Sequence, residues 1–115
     1  MSGGTILHGG ARRLPVRLVR DDRHPPQKVS WYEIAPGDVC TLHVHEGKTE
    51  TWLIIDGAGE ARIGDDVVPV TEGDMLITEA GTPHGLTNTG AVPLRFVNIV
   101  ALVGQGPVKT TEIGP

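Results

Sequence analysis

The chain has 115 residues, a formal net charge of −4 and one cysteine, Cys40. This length is typical of a single domain with one hydrophobic core. The acidic balance argues against general binding to nucleic acids or anionic membranes, which favour basic surfaces. A lone cysteine cannot form an internal disulfide, no apolar run is long enough to span a membrane, and the first residues lack the apolar core of a signal peptide. We therefore predict a cytoplasmic protein that binds neither nucleic acid nor membrane.

The first 28 residues are more basic than the rest of the chain. They carry six Lys or Arg against two Asp, a formal +4, so the remaining residues carry −8. These cations are not interleaved with the aromatic side chains that base stacking would need. We expect an edge strand at 16–20, or an arm that lies on the acidic body of a partner subunit. His8 and His24 fall in Gly- or Pro-rich stretches and are interpreted as surface histidines.

From residue 29 onward, short apolar runs alternate with turn residues. Period-2 alternation between Gly-, Pro- and Asp-rich turns predicts β-strands, and no segment has a convincing helical repeat. Short strands at regular spacing favour a sandwich or a barrel. We assign an arm to 1–28, an all-β body to 29–103 and a loose strand or extension to 104–115. The predicted strands of the body are Val29–Ile34, Val39–His45, Glu50–Ile55, Gly59–Ile63, Asp66–Val70, Met75–Thr78, His84–Asn88 and Leu94–Val103.

Two histidines and a carboxylate stand close together in this body. His43 and His45 are two apart in an apolar run, so on a strand both side chains point to one face. Glu50 follows a polar four-residue gap and opens the next apolar run, where it can face the imidazoles across a hairpin. Such a set suits a divalent first-row metal and needs one further ligand. Alternate histidines on a strand also often face solvent, so the pair alone leaves both interpretations open.

The spacing around these residues is more specific. From Gly37 to Gly57 the chain reads G(X)5HXH(X)4E(X)6G, and residues 73–88 closely match G(X)5PXG(X)2H(X)3N. These patterns resemble the two motifs of the cupin superfamily, in particular of its small single-domain bacterial members. The departure is Glu79, which stands where the family has proline, a residue that would stiffen this turn.

The resemblance implies a small double-stranded β-helix, or jelly-roll, barrel of the all-β class. It also implies a divalent transition metal held by His43, His45, Glu50 and His84. It does not select the metal, because Fe, Mn, Ni, Cu, Co and Zn all occur in similar proteins and availability matters as much as affinity.

Strand parity around these ligands predicts the wall of a mostly apolar pocket. Cys40 has the opposite parity to the histidines, so we interpret it as a small buried hydrophobe and not as a ligand or nucleophile. For the last long strand, parity groups Phe96 with Asn98 but does not say whether they face inward. The predicted pocket residues are Thr41, Trp52, Ile54, Leu86 and Asn88.

The fold alone does not settle function, because the family includes oxygenases, isomerases, lyases and storage proteins. Four protein ligands leave two positions of a six-coordinate ion open to a small molecule. We predict dioxygenase-like oxidation of a carbonyl, enol or aromatic compound, because the full ligand set adjoins an apolar pocket. The alternatives are a metal-dependent isomerase or lyase that uses a general base, and a non-catalytic module that binds a metal or small molecule.

A homodimer is also predicted. Thr51, Leu53 and Ile55 alternate with the inward residues of their strand and form a largely apolar outer face. The basic arm of one copy can lie on the acidic body of the other.

Overall fold

A computed structural model describes residues 4–15, 28–104 and 106–114 of the chain. Within these ranges the structure is all-β, and tight turns lie at glycines with positive φ, such as Gly57 and Gly73. No helix in the described part of the chain is long and apolar enough to cross a membrane. The eleven strands of these ranges are β1 Thr5–Leu7, β2 Ala11–Leu14, β3 Lys28–Ile34, β4 Val39–Glu46, β5 Lys48–Asp56, β6 Ala58–Ile63, β7 Asp66–Thr71, β8 Met75–Thr78, β9 His84–Asn88, β10 Leu94–Leu102 and β11 Lys109–Gly114.

The eight strands predicted in the body correspond to β3 to β10, with ends that differ by two residues at most. No strand is predicted from the sequence at β1 or β2, and only a loose strand is predicted near β11. These strands are short and come from segments with weak alternation, but each pairs with a strand of the body or its neighbour. The predicted edge strand at 16–20 and His24 lie outside the described residues, and the division into arm, body and extension stays a prediction.

Two antiparallel sheets enclose the core. One has the order β1-β2-β3-β10-β5-β8 and the other β11-β4-β9-β6-β7. A single hydrophobic cluster draws on both, with Ile34, Trp52 and Phe96 from the first sheet and Cys40 and Leu86 from the second. Since alternate residues of each strand point into this cluster, the inner faces of the two sheets pack together. The predicted double-stranded β-helix is confirmed.

The consecutive strands β4 and β5 lie in different sheets. β4 pairs with β9 and β11, whereas β5 pairs with β8 and β10. The chain crosses over at Gly47, whose φ is 84° and where a Cβ would lie 2.8 Å from the carbonyl oxygen of Pro107. Only glycine satisfies both conditions at this turn. The prediction that Glu50 faces the histidines across a hairpin is therefore wrong, because Glu50 faces them across the interior between the sheets.

Candidate metal centre

Four buried side chains meet in the space between the two sheets. They are His43, His45, Glu50 and His84, and their ligand atoms all lie within 4.8 Å of one another. His43 and His84 are directly opposite on the paired strands β4 and β9, whereas Glu50 comes from β5 of the other sheet. The structure thus brings together the four residues that the sequence motifs indicated.

Hydrogen bonds at Nδ1 set the orientation of the three imidazoles. His43 Nδ1 donates to the carbonyl oxygen of Thr41 at 2.8 Å, and His84 Nδ1 donates to that of Thr82 at 2.9 Å. His45 Nδ1 lies 2.7 Å from the hydroxyl of Thr110 on β11. Because Nδ1 is engaged in each ring, Nε2 is the nitrogen left to bind a metal.

The carboxylate of Glu50 is surrounded by polar side chains from both sheets. Its Oε1 is 3.2 Å from Nε2 of both His45 and His84, and its Oε2 accepts from Asn98 Nδ2 at 2.7 Å and faces Lys48 Nζ at 3.3 Å. Burial by itself would raise the pKa of Glu50, but these contacts outweigh it and hold the pKa far below its usual range. Glu50 is therefore ionised, as a metal ligand must be.

The donor set fits a divalent cation. Burial lowers the pKa of His43 to about 4, so this imidazole is neutral near pH 7. Nε2 of His84 and Oε1 of Glu50 lie 3.2 Å apart, close enough for both atoms to bind the same cation. Three nitrogens and one carboxylate oxygen are ligands that suit a first-row divalent metal.

A cavity of about 330 Å³ opens onto this cluster. Its wall is largely aromatic and apolar. Tyr32 stacks on Phe96 with ring centroids 5.2 Å apart, and the ring centroids of Trp52 and Phe96 are 4.8 Å apart. Cationic side chains of Arg13 and Lys48 also line it. The cavity has room for a small organic molecule beside the four candidate ligands.

Of the predicted pocket residues, Trp52 lines this cavity. Ile54 and Leu86 point inward as parity predicted, but they are packed in the hydrophobic cluster away from it. Asn88 is buried at the end of β9, where its amide donates to the carbonyl oxygens of Ile34 and Val92. The pocket assignment is corrected for these three positions, because parity tells which face of a strand is inside but not how far along the barrel a residue lies.

Thr41 is also absent from the cavity wall. It lies in β4, where the register shifts between Cys40 and His43. An irregularity of this kind reverses the alternation locally. Cys40 therefore points into the core, where burial raises the pKa of its thiol to about 12, and it also lines the cavity. Thr41, predicted to face the pocket, is half-buried and its hydroxyl donates to Glu112. Cys40 is buried as predicted, but its predicted orientation was wrong.

His8 is not the surface histidine that the sequence suggested. It occupies the three-residue loop between β1 and β2 with a φ of 49°, an uncommon value for a residue with a side chain. Its ring stacks on His43 with centroids 3.6 Å apart, and its Nδ1 donates to Glu112 at 2.8 Å. The loop is held on β4 because the backbone N–H of Thr41 donates to the carbonyl oxygen of His8. His8 also lines the cavity.

Residues near both ends of the chain also reach the cavity, and none of them was predicted as a pocket residue: His8, Arg13 and Thr110. One local signal was available for the first two. A short run with apolar residues lies on each side of His8-Gly9-Gly10, and this pattern is consistent with a β-hairpin. No local signal marks Thr110, because its position depends on the pairing of β11 with β4.

The family follows from a comparison with known proteins. The model of the cupin domain family matches residues 30–100, which include all four clustered ligands. The chain belongs to the cupin superfamily. Both motifs of this cupin lie within the matched range, so the departure at Glu79 does not alter the assignment.

Individual relatives of this cupin extend the comparison. An oxalate-binding protein from Thermotoga maritima is 34% identical over 71 residues, which are 62% of this chain and 59% of that protein. A solved structure of a predicted oxalate decarboxylase from Thermotoga maritima is 32% identical with a TM-score of 0.64 and covers 65% of each chain. A solved structure of an uncharacterized conserved protein with a double-stranded β-helix domain, from Klebsiella pneumoniae, is 29% identical, has a TM-score of 0.72, and covers 95% of this chain and 90% of its own.

Proposed function

We propose that this cupin holds a divalent transition metal through His43, His45, Glu50 and His84 and binds a small organic molecule beside it, which it oxidises in a dioxygenase-like reaction. The observation that most directly supports this proposal is that three Nε2 atoms and one carboxylate converge at a largely apolar cavity of about 330 Å³. A bound redox-active ion would polarise the oxygen atoms of the organic molecule and provide a path for electrons to dioxygen.

The residues around the ligands have separate tasks in this proposal. Thr41, Thr82 and Thr110 fix the imidazole orientation, and Asn98 with Lys48 fixes the carboxylate of Glu50. Such outer contacts raise ligand basicity and limit rotation. A molecule bound against the aromatic wall would displace water from the reacting atoms, which would strengthen electrostatic interactions inside the cavity. The substrate we propose is a carbonyl, enol or aromatic compound.

Oxygen stoichiometry tests the reaction type. In a dioxygenase reaction both atoms of one O₂ enter the products, so the oxidant is O₂ itself and no external reductant is consumed. With Fe²⁺-reconstituted protein and a panel of enols, 2-oxo acids and catechols, we expect one O₂ to be consumed for each substrate and the label of ¹⁸O₂ to appear in product. An oxygen electrode and mass spectrometry measure the two quantities. Unlabelled product formed equally fast without oxygen would contradict the proposal.

One observation favours the isomerase or lyase alternative. His8, oriented by the carboxylate of Glu112, lines the cavity and could move a proton to or from a bound molecule. Turnover of a panel compound under nitrogen at the aerobic rate would favour this alternative. Metal and ligand binding without any turnover would favour the non-catalytic module.

We also propose that two copies associate through the outer face of the six-stranded sheet. Val29, Leu53, Met75, Ile77 and Ile99 lie on neighbouring strands of this face, and each is between 38% and 62% exposed. The formal +4 of residues 1–28 and the −8 of the remainder make two copies complementary in charge. Cytoplasmic localisation likewise remains a prediction.

An Ile77→Lys substitution tests this interface. We expect the wild-type protein to sediment as a dimer at micromolar concentration and the variant to shift toward monomer, because a lysine would be buried among apolar side chains. Val67→Lys is the matched control, since Val67 is 57% exposed on β7 of the other sheet. A monomeric wild-type protein in analytical ultracentrifugation would refute the dimer.

A further inference from the structure

Two buried polar atoms beside the cavity have no hydrogen-bond partner among the described residues. They are the indole N–H of Trp52 and the amide oxygen of Asn98. Trp52 is 3% exposed and Asn98 4%, and both line the cavity. An unpaired buried polar group is costly, so such atoms in a cavity wall indicate a ligand that would pair with them.

The two atoms are a donor and an acceptor on neighbouring strands. Trp52 of β5 and Asn98 of β10 are direct partners in the sheet. The other side of the Asn98 amide already donates to Glu50 at 2.7 Å, which fixes the amide oxygen as the free group. A hydroxyl group both accepts and donates, so one hydroxyl of a ligand can satisfy both atoms.

The charge of the cavity wall indicates what else the ligand carries. Lys48 is 3.3 Å from Glu50, so these two charges largely compensate each other. Arg13 lines the same cavity, and its guanidinium has no carboxylate partner in the described ranges. A cation with no carboxylate partner among the described residues favours an anion at this position. A guanidinium binds planar carboxylates especially well.

We propose that the ligand of this cavity is a small hydroxy-carboxylate whose carboxylate pairs with Arg13 and whose hydroxyl bridges Trp52 Nε1 and Asn98 Oδ1. The inference rests on the proposed function for its site and names the substrate class of that site. The aromatic rings of Tyr32 and Phe96 give the remaining carbon skeleton an apolar surface.

Three matched probes separate the two recognition elements. Mandelate has the carboxylate, the hydroxyl and an aromatic ring, phenylacetate lacks the hydroxyl, and 1-phenylethane-1,2-diol lacks the charge. By calorimetry we expect phenylacetate and the diol each to bind about tenfold or more weakly than mandelate, because each leaves a buried or charged group of the wall unpaired. The titrations are made with Zn²⁺-loaded and with metal-free protein.

Protein variants assign each preference to a residue. The Arg13→Gln substitution should weaken the binding of mandelate about tenfold and leave the affinity for the diol unchanged. Arg62 is an exposed arginine on β6 outside this cavity, so Arg62→Gln should change neither affinity. Trp52→Phe should remove most of the preference for mandelate over phenylacetate and keep the preference over the diol. If the Trp52→Phe variant still prefers mandelate to the diol, its cavity is folded and the contact of mandelate with Arg13 is intact.

The outcomes distinguish this inference from the proposed function. A hydroxyl preference that appears only with Zn²⁺ would assign it to chelation by the metal and overturn the inference. Zn²⁺ binding with equal affinity for all three probes would overturn the inference and leave the metal proposal standing. Both preferences in a protein that binds no metal would support the hydroxy-carboxylate site and reject the proposed metalloenzyme.

Discussion

A His84→Ala variant is expected to bind divalent metal at least about a hundredfold more weakly than the wild-type protein. The reason is that loss of an outer hydrogen bond to a ligand already costs about ten- to hundredfold in affinity, and this substitution removes a ligand itself. His84 is buried and its Nε2 lies 3.2 Å from the Glu50 carboxylate, so no other side chain replaces it without rearrangement. Competition with a chromophoric chelator measures the affinity, and elemental analysis measures the metal content of purified protein.

Cys40→Ala is the matched control for this experiment. Cys40 is buried beside the same cavity, but the raised pKa of its thiol keeps it protonated and unsuited to bind metal. We expect this variant to retain metal and any dioxygenase activity, while His84→Ala loses activity by orders of magnitude. Equal metal content in the His84→Ala and wild-type proteins would reject the four-residue site.

The second large effect concerns folding stability. If free metal is present at a thousand times its Kd, binding to the folded chain contributes about 4 kcal/mol to the free energy of unfolding. For a domain of this size we expect a chelator at pH 7.5 to lower Tm by roughly 15 °C. Differential scanning calorimetry with and without chelator measures the shift. An unchanged Tm would mean that the cluster adds nothing to folding through a metal.

Acid should destabilise the metal-free protein as well. The pKa of His43 is about 4 in the folded chain and about 6.5 in the unfolded chain, so between these values only the unfolded state gains a proton. Stability is therefore lost as pH falls from about 6.5 to about 4, by on the order of 3 kcal/mol. The depressed pKa of Glu50 adds a loss that begins below the usual carboxyl pKa and continues as pH falls toward its folded value.

Urea unfolding of chelator-treated protein at pH 8, 6.5 and 5 measures this dependence. The free energy of unfolding should be nearly equal at the two higher values and smaller at pH 5. A His43→Gln variant is the control, because it lacks the titrating group and should lose less stability across the same interval. Identical pH dependence in the variant would assign the acid effect to other groups.

Much of the architecture was readable from local patterns. The strands β3 to β10 were predicted closely because apolar alternation and turn residues are properties of a few consecutive positions. The four clustered ligands were also predicted, since the motif spacing fixes residue types on β4, β5 and β9. The same patterns predicted that Trp52, Ile54, Leu86 and Asn88 are buried.

Other features could be seen only in the folded chain. Whether Phe96 and Asn98 face inward depended on the pairing of β10 with β3 and β5, because a strand has two faces and its alternation does not name the inner one. The irregularity in β4 turned Cys40 toward the cavity and Thr41 away from it, against simple parity.

The cavity itself is assembled from distant parts of the chain. The sequence by itself determined the strand order along the chain, the family motifs and the residue types of the candidate metal site. The tertiary structure decided that Glu50 meets the histidines across two sheets, that His8 and Arg13 reach the site from the first hairpin, and that Thr110 reaches it from the last strand. Contacts of this kind depend on pairing between segments that are up to 104 residues apart, and no window of neighbouring residues encodes such pairing.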